Sequence, residues 1–139
     1  EMLRVCRPGG KIGLANWTPE GFIGQLFKII GKYVPPMPGA KAPPMWGSKA
    51  HLESLFGTQG SVEARTRTFM FRYRSPAHWV EIFRTYYGPV LKAFAAIETD
   101  KQKALEADLL ALLDKFNVAK DGTLVAASEY LEAIITKKG

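Results

Sequence analysis

Residues Glu1 to Trp17, EMLRVCRPGGKIGLANW, decide how the rest of the chain is read. Met2, Leu3 and Cys6 stand at helical spacing before Arg7-Pro8-Gly9-Gly10, a run that stops a helix and turns the chain. The first six residues thus read as the last turns of a helix whose beginning lies upstream. Lys11 to Trp17 is short and mostly apolar, held between Gly-Gly and Thr18-Pro19, the pattern of a strand covered on both faces in a parallel sheet. Helix, tight turn and buried strand make an αβ unit.

Downstream of that unit, Thr18 is a suitable N-cap and Pro19 suits a first helical position. Phe22, Ile23, Leu26, Phe27, Ile30 and Tyr33 then recur at helical spacing. Residues 34–47 hold five of the nine prolines and predict an irregular proline-rich loop or lid, because proline fixes φ and removes a backbone donor. Ser48 caps a short helix ending at Gly57. Val62 to Tyr73 reads as a long strand whose apolar phase changes midway, so either a bulge sits near Thr66 to Thr68 or the second half is covered on both faces. Ser75-Pro76 opens a helix bearing Trp79, Ile82, Phe83, Tyr86 and Tyr87, Gly88-Pro89 separates it from the next, and Thr99 or Asp100 caps the longest. Beyond the Lys120-Asp121-Gly122 turn, Thr123 to Ala127 leads to YLEAIIT, apolar on both sides and expected inside a sheet.

A content of 47% apolar residues in 139 supports one sizeable core and so a single domain or part of one. The single cysteine, Cys6, excludes an intrachain disulfide and a multi-cysteine zinc site, and favours a cytoplasmic setting. Phe22 to Val34 is too short and too interrupted by Gln25, Lys28 and Lys32 to span a bilayer, so no membrane role is expected. The net charge of +6 is uneven: 13 Lys/Arg face 5 Asp/Glu up to Ile97, against 6 and 8 from Glu98 onward. Only Arg65, Arg67, Arg72 and Arg74 form a local group, and aromatic-basic alternation is confined to residues 72–74. A solvated or salt-paired face is therefore expected before nucleic-acid binding.

The opening EMLRVCRPGGKIGLANW resembles the stretch of class I S-adenosylmethionine-dependent methyltransferases in which a helix ends in an arginine-proline-glycine-glycine turn and feeds the fifth strand. The TPEGFIGQLFKIIGKY helix, FMFRY strand, HWVEIFRTYYGPVLKAF helices and closing EYLEAIITKK strand are similar to the remainder of that domain. The resemblance implies an α/β fold: residues 1–139 would be one partial domain, the C-terminal part of a Rossmann-like methyltransferase fold. It would contain one parallel-type strand, an antiparallel C-terminal strand pair with the last strand beside the fifth, and several helices. The family's glycine-rich loop, ribose-binding acidic residue and fourth strand would all precede Glu1, and no G-x-G pattern occurs in the chain.

Ligands in such folds lie at the carboxyl ends of strands, which makes Asn16 and Trp17 the candidate cofactor-binding residues. The resemblance further implies that the next helix and the proline-rich loop cover a small-molecule methyl acceptor, with Phe22, Met37, Met45 and Trp46 lining an apolar pocket. His78 as a base with a tyrosine hydroxyl such as Tyr86 completes the substrate-binding candidates. No catalytic residue is assigned. His51 has no second ligand at helical spacing, so no metal site is expected, and Cys6 reads as an ordinary buried thiol. S-adenosylmethionine is expected in a complete enzyme, and no cofactor in this chain alone. The alternative is a free-standing binding module. In either case KIGLANW would have an unpaired edge, so a homo-oligomer or a complementing chain is the expected partner.

Overall fold

The last fourteen-residue strand organises the molecule. In the computed structural model, which describes residues 1–36, 39 and 43–139, the order is α1 (Met2–Val5), β1 (Lys11–Trp17), α2 (Phe22–Tyr33), a 3₁₀ turn (Pro43–Gly47) and α3 (Lys49–Phe56). Then come β2 (Gly60–Tyr73), α4 (Pro76–Tyr86), α5 (Gly88–Ala95), α6 (Thr99–Phe116) and β3 (Leu124–Lys137). The described residues form a mixed α/β fold of six α-helices and a three-stranded antiparallel sheet ordered β1-β3-β2. β3 lies in the middle, as the two-sided apolar character of YLEAIIT requires. Its register is unbroken, from Lys11↔Thr136 to Trp17↔Tyr130 on one side and from Gly60↔Lys137 to Tyr73↔Leu124 on the other.

Alternation along β3 builds two cores on opposite faces. Leu124, Ala126 and Ser128 turn to the face covered by α2, α4, α5 and α6, where Phe22, Leu26, Trp79, Phe83, Leu105, Leu109 and Leu113 are buried. Leu131, Ala133 and Ile135 turn to the other face, against Leu52 and Phe56 of α3 with Ile12, Leu14, Val62 and Ala64. The cores occupy opposite ends of the sheet. This explains the phase change in β2, where Val62 and Ala64 serve the second core and Phe71 and Tyr73 the first.

Several expectations are corrected. Neither a bulge nor cover on both faces accounts for β2: its register with β3 is continuous and Phe69 is 49% exposed. β1 is not a doubly covered parallel strand here, because its described neighbour is antiparallel and Lys11, Gly13 and Ala15 are exposed on one face. Leu124 to Ala127 and Tyr130 to Thr136 belong to one continuous strand rather than two, and Thr123 precedes it. The proline-rich loop contains the 3₁₀ turn Pro43–Gly47, which tolerates two leading prolines because the first residues of a helical turn need no donor. Cys6 is half-buried.

Helix α2 starts at Phe22, with Gly21 rather than Thr18 at the cap. Thr18 is held by the sheet instead, its N–H donating to Glu129 O at 3.1 Å, while its Oγ1 accepts from Gly21 N at 3.2 Å. The helix finds a non-local cap in Ser128 of β3, wholly buried, whose Oγ accepts from Ile23 N at 3.4 Å. At the other end of the sheet, Lys137 Nζ donates to Leu3 O and Cys6 O, both at 2.8 Å, and so satisfies terminal carbonyls of α1. No helix among the described residues is long and apolar enough to cross a membrane.

Candidate functional site

The carboxyl end of β1 opens into a cleft of about 220 Å³ lined by Ala15, Asn16, Trp17, Phe27, Pro43, Pro44 and Tyr87. Each side chain arrives there for a local reason. Trp17 ends the strand and is braced edge-on by Phe69 and Tyr130, both at 6.1 Å between ring centroids, and by Phe71 at 5.7 Å. Phe27 comes from α2, which crosses the sheet next to that strand end. Tyr87 follows the last turn of α4, where Gly88-Pro89 begins a new helix. The 3₁₀ turn closes the wall because Gly47 touches the strand: a Cβ there would lie 1.9 Å from Trp17 O and 2.8 Å from Thr18 Cα.

Polar groups in the cleft are few. Asn16 Nδ2 is buried without a hydrogen-bond partner among the described residues, a costly state for an amide donor unless something accepts from it. Burial holds the Tyr87 hydroxyl above its ordinary range, so it stays protonated through neutral pH and can donate. A second groove of about 240 Å³, lined by Pro19, Gly24, Phe27, Lys28, Pro44 and Met45, adjoins the cleft. Phe27 and Pro44 are common to both, so the two are compartments of one apolar depression. Its chemistry is that of shape and desolvation, with an amide and a phenol for orientation.

The candidates read from the sequence divide. Asn16 and Trp17 lie in the cleft, and Met45, 40% exposed, lines the adjoining groove. Phe22 is 0% exposed and packs on Phe71, Trp79 and Phe116, so it belongs to the core rather than a pocket wall. Trp46 packs on His51 and Phe56 in the second core. Met37 lies outside the described residues. Tyr86 is 77% exposed and is not joined to His78: the two stand eight positions apart on α4, about 12 Å along its axis. His78 borders a different groove with Arg72, Tyr73 and Arg74. Among the described residues there is no cluster of three side chains fit to hold a metal.

Phe27, Pro43 and Pro44 were not singled out by sequence, and Tyr87 entered only beside Tyr86 as a tyrosine hydroxyl at the end of the His78 helix. Phe27 sits in the apolar stripe of α2 and looks like core. Tyr87 continues the apolar stripe of α4, its ring 4.8 Å from that of Phe83, and stands just before the Gly-Pro break.

No family model matches the chain. It is similar to the uncharacterized protein Rv1403c of Mycobacterium tuberculosis, 36% identical over 122 residues covering 84% of this chain and 44% of that protein. It is also 37% identical over 112 residues to the uncharacterized protein Rv1405c of the same organism, covering 78% and 40%. Mycobacterium bovis has a relative, the uncharacterized protein Mb1438c, at 36% identity over 122 residues. The chain thus spans less than half the length of the curated relatives it matches.

Proposed function

We propose that residues 1–139 form the acceptor-side, C-terminal part of a Rossmann-like class I S-adenosylmethionine-dependent methyltransferase that acts on a small apolar molecule in the cytoplasm. The observation that carries the reading is the strand arrangement. A strand entered from Arg7-Pro8-Gly9-Gly10 has the final strand antiparallel beside it, which in turn separates it from the penultimate strand. Support also comes from the cleft, which lies at the carboxyl end of β1, beside the strand edge left unpaired among the described residues.

The residues present fit one wall of a cofactor site and no more. The buried, partnerless amide of Asn16 and the ring of Trp17 suit a planar, hydrogen-bonding group, whereas no glycine-rich loop or ribose-binding carboxylate is at hand. S-adenosylmethionine, when bound, supplies an electrophilic methyl group. Phe27, Pro44 and Met45 exclude water from the acceptor, and the Tyr87 hydroxyl orients it.

The test is to read the coding frame upstream of Glu1, express the whole protein and titrate S-adenosylmethionine by calorimetry. Binding that Trp17→Ala weakens roughly tenfold, about 1.4 kcal/mol, is the expected result. A whole protein that does not bind the cofactor overturns the reading.

A second reading has its own observation. β1 carries a single charge, Lys11, whereas β2, whose outer edge is also unpaired among the described residues, carries Glu63, Arg65, Arg67 and Arg72. The β1 edge lacks the charges that discourage strand addition, which suits a binding module completed by a second copy or another chain.

A further inference from the structure

The four arginines that form the one local basic group divide in the fold. Arg65 and Arg67 point to one face of β2, where Arg67 Nη2 meets Glu132 Oε1 at 3.3 Å. Arg72 has the opposite parity, and Arg74 follows just past the strand end. These two join His78, Tyr73 and Thr123 around an open groove of about 480 Å³ at the carboxyl end of β2. Among the described residues neither Arg72 nor Arg74 has an ion pair or a side-chain hydrogen bond, unlike Arg4, Arg67 and Arg84. His78 Nδ1 is buried and also lacks a partner. The carboxylate of the adjoining turn is already engaged: Asp121 Oδ1 accepts from Thr123 N at 3.0 Å and Thr123 Oγ1 at 2.6 Å.

We propose that this groove is a binding site for a phosphate group carried by a small molecule, separate from the cleft at β1. Arg72 and Arg74 leave the backbone two positions apart, about 7 Å in extended chain, and each guanidinium presents donors in a fork that matches phosphate oxygens. His78 and Tyr73 line the same groove with their rings 5.7 Å apart, so an imidazole borders the two guanidiniums. The end of α4 is not what makes the site, because Ser75 Oγ already accepts from His78 N at 3.1 Å. Trp17 is level with Tyr130 and Arg67, so the groove at Tyr73 lies six residues, about 20 Å, further along the sheet. The site therefore does not depend on the methyltransferase reading and is open to test whether or not that reading holds.

The test titrates inorganic phosphate, then glycerol 3-phosphate, into the protein at low ionic strength, reading heat and the ring signals of His78 by NMR. Saturable binding that moves the His78 ring signals is expected, and preference for the ester over free phosphate would identify the carrier as a phosphomonoester. Arg72→Gln with Arg74→Gln should weaken binding roughly tenfold or more. Arg65→Gln with Arg67→Gln removes the same charge from the other face and should change it less than about twofold. Equal losses in the two double variants would mean that net charge alone attracts the anion, and would overturn the proposal. So would unmoved His78 signals in the wild-type protein, or binding to vesicles containing phosphatidylserine without binding of either soluble probe.

Discussion

Gly47→Ala is expected to undo the wall of the β1 cleft. The new Cβ would fall 1.9 Å from Trp17 O, 2.5 Å from Trp17 C and 2.8 Å from Thr18 Cα. All three are backbone atoms, two of them in a strand paired to β3, so no rotamer change relieves the contact. Restoring an ordinary separation requires the Pro43–Gly47 turn to lift by more than 1 Å, roughly the shortfall between 1.9 Å and normal contact. Overpacking of this kind costs about 1–3 kcal/mol. Taking about 2 kcal/mol, the melting temperature of a chain this size should fall by roughly 6–8 °C. Gly31→Ala is the internal control, because that position lies in α2 with nothing within 4 Å of the added methyl. It should raise stability by about 0.5–1 kcal/mol through helix propensity. Urea unfolding followed by circular dichroism reads both. A Gly47→Ala protein as stable as wild type would refute the view that a tight backbone contact seats this turn, and with it the description of the cleft.

Other substitutions probe the remaining parts. Leu109→Ala, at a fully buried position of α6, should cost about 3–5 kcal/mol in the same unfolding assay, the range for a core cavity that cannot collapse. The Asp121 carboxyl is held below its ordinary value of 3.8, chiefly by the Thr123 side-chain hydrogen bond. A depressed folded value means that its contribution is present above that pH and lost as pH falls through the depressed value. Thr123→Val should return the Asp121 titration, followed by NMR, toward the ordinary value, and an unmoved midpoint would exclude the hydroxyl as the cause. For Tyr87 the sign is opposite: burial raises its value above 10.0, so its contribution is intact at neutrality and declines only as alkaline pH passes through the raised value. Ultraviolet titration should find late phenols at Tyr33, which burial and its hydrogen bond to Asp108 also raise, and at Tyr87, and Tyr87→Phe should remove one of them. Residues 1–139 alone should self-associate through β1, and Ala15→Lys, which adds a charge at an exposed position of that strand, should suppress it. Light scattering that finds only monomer at high concentration would count against an adhesive edge.

Much of the fold is legible in the sequence because its signals are local. Ser75-Pro76 opens α4 and Gly88-Pro89 parts α4 from α5, each through backbone restrictions that act within a few residues. The failures are non-local. Thr18 is a good cap by type, but its N–H and hydroxyl are drawn to Glu129, 111 positions away, and Ser128 takes over the cap of α2. No window of sequence around Thr18 contains either partner. The phase change in β2 was visible, but its cause was not: a bulge and an unbroken strand that serves two cores in turn leave the same alternation in the sequence.

The cleft was half legible for the same physical reason. Asn16 and Trp17 could be named because the end of a strand is a local property and the ends of strands are where such sheets leave room. What faces them is fixed by packing between elements distant in sequence. Phe27 shares the apolar stripe of Phe22 and Ile23, and only the crossing of α2 past the end of β1 decides that Phe22 is sealed against Phe71 and Trp79 while Phe27 borders the opening. Met45 and Trp46 are adjacent in one 3₁₀ turn, yet Met45 lines the groove and Trp46 packs into the second core. Gly47, the residue that seats the turn, carries no chemistry by which a site search would choose it. Its role exists only where its missing side chain meets the carbonyl of Trp17, so the residue that shapes the cleft is the one that a reading by functional groups passes over.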